Sequence, residues 1–139
     1  MNKDKGSILI FILVFMLILI ISISTLSIAL NLFVKSLVLE INHKKAYYLA
    51  QSGLNIAPYY FDAIPIKNIP LSDEKGWLYN HLFEGLLINR DLDGEIILFK
   101  SQNNTIYAVG LVQKKARSIL KESFTITENK ITFYNWEKL

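Results

Sequence analysis

Three groups of residues in this sequence have types and spacings that could do chemistry. The first is Asn89-Arg90-Asp91-Leu92-Asp93-Gly94, where oxygen-bearing side chains alternate and a Gly follows. That is the first half of a calcium loop, and Ca2+ takes hard oxygen ligands of this kind. The loop's twelfth position falls on Lys100, where a bidentate Glu is needed, and its first is Asn rather than Asp. An Asp-Gly turn entering a strand uses the same residues without any ion. Asn89, Asp91 and Asp93 are thus an incomplete calcium set, and no other metal or cofactor is expected. The second group, Lys114, Lys115, Arg117 and Lys121, is a basic patch that could meet phosphate. No aromatic residues interleave to stack bases, so the patch reads as a solvated face, with no nucleic acid called for. The third is His43 and His81, isolated and without an evident partner. There is no nucleophile elbow, no metal-spaced His cluster and no phosphate loop, so no enzymatic activity is expected.

The elements that carry these residues begin with residues 8–21, an unbroken apolar run. No charge occurs over residues 6–34, 29 residues between Lys5 and Lys35. As a helix they would extend about 44 Å, more than a hydrocarbon core of about 30 Å. In lipid the backbone must satisfy itself, which again selects a helix. Neither Gly nor Pro occurs from Ser7 to Ser52, so one helix is expected to have a transmembrane half, 7–34, and an exposed half, 35–57. Ser24, Ser27 and Asn31 stand at i, i+3, i+7 and share a face on which another membrane helix could approach and hydrogen-bond. The alternative is that these side chains bond their own backbone. Ala46, Ala50, Gly53 and Ala57, at i, i+4, i+7, i+11, form a stripe of small residues that lets a sheet or helix pack close.

Pro58, Pro65 and Pro70 bracket a connection over 58–94 that is expected to be irregular and partly helical. Ser72 is a suitable N-cap, and Leu78, Leu82 and Leu86 at i, i+4, i+8 predict a helix over 73–87, interrupted by Gly76. After Gly94 the period changes to two. Strands are expected at 95–100, 105–112, 117–126 and 131–136, joined by polar turns. Tyr107, Val109 and Leu111 share one face; Leu120, Phe124 and Ile126 share one in the next strand. The expected fold class is α+β: a long N-terminal helix packed on a small antiparallel sheet of about four strands.

The chain has 139 residues, a formal net charge of +3 and no Cys. About a hundred residues outside the apolar span are enough for one small domain. The charge is too small to imply a polyanionic partner, and thiol chemistry and disulfides are excluded. Lys3 and Lys5 favour a cytoplasmic N-terminus with residues 35–139 exported, although Lys35, Lys44 and Lys45 on the far side reduce the asymmetry.

Lys5-Gly6-Ser7 opening a long apolar helix resembles the prepilin peptidase site of type IV pilins and pseudopilins. The stretch KAYYLAQSGLNIA over 45–57 is similar to the A-x-x-x-A-x-x-G-L stretch of PilX-type minor pilins and large minor pseudopilins, with Ala46, Ala50, Gly53 and Leu54 in those places. The strand 105–112 with Gly110, followed by Arg117, also resembles that group's carboxy-terminal sheet. The resemblance covers both ends of the chain but not 58–91. It implies that residues 1–6 are a leader removed after Gly6 by a prepilin peptidase, and that the new amine on Ser7 is methylated. It implies as partners other pilin or pseudopilin subunits, an inner-membrane assembly platform and membrane lipid. Most pilins carry glutamate as the fifth residue after the cut, where it neutralises the amine of the subunit ahead; here that residue is Phe11. A charge deep in a bilayer costs about 2.5–3.5 kcal/mol on insertion scales and is kept only where it has a partner. Phe11 thus fits a subunit at a filament tip, in a pilus, competence or type II secretion machine.

Two other readings use the same residues. A signal peptide cleaved after Ala29 would release a soluble domain, although the apolar run exceeds the usual 7–15 residues and stays hydrophobic beyond that cut. A single-pass anchor carrying a binding or sensor domain would undergo no processing at all.

Overall fold

The computed structural model describes residues 3–89, 94–113, 115–128 and 130–139. One helix, α1, covers Lys3–Ile56. The chain divides into two compact units, Met1–Leu39 and Glu40–Leu139. In the first, every described residue is helical and solvent-facing, from Ile8 through Leu39. The helix is long and apolar enough to cross a membrane. Within it Ser22, Ser24 and Thr25 return their hydroxyls to the carbonyls of Ile18, Ile20 and Ser22 at 2.8–2.9 Å. Intrahelical bonds of this kind let hydroxyl residues sit in an apolar helix with their polarity satisfied.

In the second unit α1 stops where Pro58 enters. Proline has no N–H for the helical ladder, and a 3-10 turn over Ala57–Tyr60 replaces the α-helix. The sheet comprises β1 (Ile66–Lys67), β2 (Leu86–Asn89), β3 (Gly94–Ser101), β4 (Thr105–Val112), β5 (Ala116–Thr127) and β6 (Lys130–Lys138). Its order is β1-β3-β4-β5-β6, with β2 also paired to β3. The β3–β6 pairs form the expected antiparallel meander. The β3–β4 turn is a three-residue loop ending on Asn104 at φ 56°, the left-handed residue such loops require. In β6 Asn135, at φ 54°, is the extra residue of a bulge opposite Glu122 and Ser123.

Two short strands exceed the expected four. β1 runs parallel to β3 through Ile66↔Lys100, and β2 is antiparallel to it through Leu86↔Leu98. The helix expected over 73–87 is correspondingly shorter. It is α2, Glu74–Asn80, and its N-cap is Asp73, which accepts from the Gly76 N–H at 3.0 Å, rather than Ser72. His81 leaves helical geometry at φ −117°, a 3-10 turn takes Leu82–Glu84, and Leu86 lies in a strand. The i, i+4, i+8 leucines thus serve three different elements.

Both faces of the sheet are covered. Ile96, Leu98, Ile106, Ala108, Leu120 and Phe124 meet Ala50, Leu54 and Ala57 of α1. Ile97, Phe99, Tyr107, Val109 and Ile119 meet Leu78 of α2 and Ile69 before it. Burial on both faces explains why β4 is closed along seven successive residues rather than at alternate ones. Each fully buried Leu, Ile, Val or Phe contributes about 1.5–3 kcal/mol of transfer free energy.

Candidate functional site

The small-residue stripe is where α1 meets the sheet. Ala46 and Ala50 are fully buried, and Gly53, Leu54 and Ala57 are buried with them. A Cβ built on Gly53 would lie 2.8 Å from Ile96 Cγ2 and 3.0 Å from the Ala108 Cβ. On the sheet side, a Cβ on Gly110 would run into the Ala46 carbonyl oxygen and lie 2.7 Å from the Ala50 nitrogen. Helix backbone and strand backbone therefore approach without a side chain between them, which only Ala and Gly at these positions allow. Beside Gly110 across the ladder, Ser118 is buried and its hydroxyl has no partner among the described residues.

Near its start α1 contains Lys5, Gly6, Ser7 and Phe11. Among the described residues, nothing beyond its own helical neighbours lies within 4 Å of where a Gly6 Cβ would stand, so packing makes no demand for glycine there. Phe11 is 72% exposed. Ser24, Ser27 and Asn31 are also exposed. Of the calcium set, Asn89 falls in β2 opposite Ile96, while Asp91 and Asp93 lie outside the described residues. Among the described residues, no group of three His, Asp or Glu side chains could hold a metal ion.

The basic patch divides. Lys114 lies outside the described residues, and Lys115 and Arg117 are exposed. Lys121 belongs to a polar network under α2. Its ammonium donates to Glu74 Oε2 at 3.0 Å, while the Tyr107 hydroxyl donates to Glu74 Oε1 at 3.0 Å and Glu137 lies 3.4 Å from the Lys121 nitrogen. Burial, then the bond to Glu74, pushes the Tyr107 hydroxyl well above the usual tyrosine range, so it stays a donor. Burial pulls Lys121 down, but the hydrogen bond and charge of Glu74 outweigh it, with help from Glu137. Lys100 is buried as well. Its ammonium donates to the Phe61 carbonyl at 2.9 Å and stands 4.1 Å from the centre of the Phe61 ring. His81 stacks on Trp77 with 4.2 Å between ring centroids, and His43 is exposed.

A cavity of about 510 Å3 opens at the end of this same face. Its floor is Glu95, Ile97, Leu111 and Arg117 on successive strands, and its wall is Tyr79, Leu82, Phe83 and Leu87. The Arg117 guanidinium stands 5.1 Å from the Tyr79 ring centroid. Burial raises the Tyr79 hydroxyl above its ordinary range, with Arg117 acting in the opposite sense. The sequence suggests Arg117 as part of a solvated face, and neither Tyr79 nor Glu95 stands out in it as a site residue. Strand phase alone puts Glu95, Leu111 and Arg117 on one face, but the wall from α2 has no local signal. No protein family, curated protein or solved structure matches the chain.

Proposed function

We propose that this protein is a membrane-anchored, pilin-like subunit that helps initiate or cap a type IV pilus, competence pseudopilus or type II secretion pseudopilus. The observation that carries the reading is α1: a single helix, Lys3–Ile56, uncharged over residues 6–34 and solvent-facing over residues 6–39, whose last turns pack on a sheet through Ala46, Ala50, Gly53 and Gly110. Exposed apolar side chains over that length need lipid or other apolar helices around them. In this reading a prepilin peptidase cuts after Gly6 on the cytoplasmic side. The Ser7 amine is methylated and pairs with a glutamate of the subunit below. Residues 7–34 pack beside other subunits' helices, Ser24, Ser27 and Asn31 facing them, and the sheet unit contacts neighbouring minor subunits outside the membrane. Phe11 leaves no carboxylate for a subunit above, which suits the first position in a filament. The role is structural, without catalysis.

The reading is tested by expressing the chain in its own cell with and without the prepilin peptidase. Loss of six residues from the amino terminus that depends on the peptidase, with the chain recovered in the sheared filament or membrane-platform fraction, is the expected outcome. Identical masses in the two strains would refute it.

A further inference from the structure

We infer that the cavity between α2 and the end of the sheet is a binding site for a peptide carboxy-terminus with a bulky apolar last residue, supplied by a partner protein. At about 510 Å3 it lies within the usual range for ligand sites, roughly 300–1,000 Å3. Three features select the ligand. Arg117 is exposed and held beside Tyr79, and no carboxylate among the described residues pairs with it. A planar cation steadied against an aromatic ring is suited to a bidentate carboxylate. Ile97 and Leu111 form an apolar floor, and Phe83 at the rim is 97% exposed, an aromatic anchor open to a ligand. Glu95 occupies the far end of the same rung: Glu95 pairs with Leu111 and Leu111 with Arg117, so the two charges are separated by two strand spacings, about 10 Å.

A peptide end supplies all three complements: a carboxylate for Arg117, an apolar side chain for the floor, and amide N–H groups for Glu95. A fatty acid supplies the first two but leaves the Glu95 carboxylate against methylene groups, an unfavourable burial of charge. A second anion is disfavoured by repulsion from the Glu95 carboxylate, so the ligand carries one carboxylate at this end.

The test uses the full chain in lipid nanodiscs and a fluorescein-labelled Gly-Gly-Phe peptide with a free carboxylate, read by fluorescence polarisation. The free acid is expected to bind about tenfold or more tightly than the same peptide as its amide, the effect of one charge-assisted contact. Arg117→Gln should reduce that ratio to near one. Phe83→Ala should weaken acid and amide alike by several-fold; this side chain is exposed, so the variant keeps the test alive if Arg117→Gln fails to fold. Decanoate should compete only at far higher concentration than unlabelled acid peptide. The inference is overturned by equal binding of acid and amide, by a folded Arg117→Gln that keeps the preference, by decanoate competing as well as the peptide, or by no saturation up to about 1 mM.

Discussion

A side chain on Gly110 would collide with the carbonyl oxygen of Ala46, so strand β4 and helix α1 meet backbone to backbone. The obstacle is not the far end of a flexible side chain but a helical peptide group, which cannot move without shifting the turn that contains it. Gly110→Ala is therefore expected to destabilise the sheet unit by about 3 kcal/mol or more, the upper range for overpacking. Gly53→Ala meets side-chain atoms, Ile96 Cγ2 at 2.8 Å, the Ala108 Cβ at 3.0 Å and Leu98 Cδ2 at 3.3 Å; the Ile96 and Leu98 ends can turn aside while the Ala108 Cβ cannot, so the change should cost about 1–2 kcal/mol. Denaturant midpoints of the two variants in detergent micelles check the order.

The network around Glu74 supports a second expectation. Glu74→Ala leaves the buried Tyr107 hydroxyl without its acceptor and Lys121 with only the exposed Glu137. An orphaned buried donor costs about 1–3 kcal/mol. Tyr107→Phe in the same background removes the orphan, so adding it should recover part of the loss. A double-mutant cycle on unfolding midpoints measures that coupling.

Two carboxylates set opposite pH dependences. The hydrogen bond from Lys67, 2.6 Å from Glu84, holds Glu84 below the usual range, so its contribution is present above the unfolded-state value and lost as pH falls through the lower folded one. Burial raises Glu122, so its penalty is absent in acid, grows as pH rises through the unfolded-state value, and is complete above the raised folded one. Glu122→Gln should therefore raise the unfolding midpoint at neutral pH and leave it unchanged in acid. Glu84→Gln should lower it at neutral pH and leave it unchanged in strong acid.

Gln113 and Glu128 hold φ values of 50° and 46° in the turns before β5 and β6. A left-handed backbone costs a residue with a Cβ about 1–2 kcal/mol. Gln113→Gly and Glu128→Gly should each stabilise, by up to about 1 kcal/mol once the greater chain entropy of glycine is subtracted. Thermal midpoints of the single variants check this.

What the sequence disclosed follows the range of the forces involved. A period-two reading located β4 at its observed bounds, although both of its faces are buried, because the polar turns flanking its apolar run are local signals. The Ala46–Ala57 stripe was readable for the same reason: helical spacing is local. The cover on the second face was not readable. β1 and β2 exist because residues 66–67 and 86–89 find β3, a pairing with no signature in either segment. The leucines at 78, 82 and 86 repeat every four positions, yet His81 departs from the helix, its ring nitrogen 2.8 Å from the Trp77 carbonyl, and the next turn is 3-10. Glu74 stands in the first turn of α2, where the helix dipole favours an acid, but the partners that draw it into the core lie 33 and 47 residues away. Arg117 on the floor and Tyr79 on the wall line one cavity only because α2 lies over β5.

The amino terminus is where the proposed processing is tested most directly. Glycine at position 6 answers no packing need in this chain, so Gly6→Val should leave the fold and unfolding midpoint unchanged while abolishing any processing that requires glycine. Mass spectrometry of the amino-terminal peptide, from the unmodified chain isolated from its own cell, is the deciding measurement. The account predicts a mature chain that begins at an N-methylated Ser7. A chain that retains Met1 in cells that assemble filaments, or one that begins at Leu30, would contradict it.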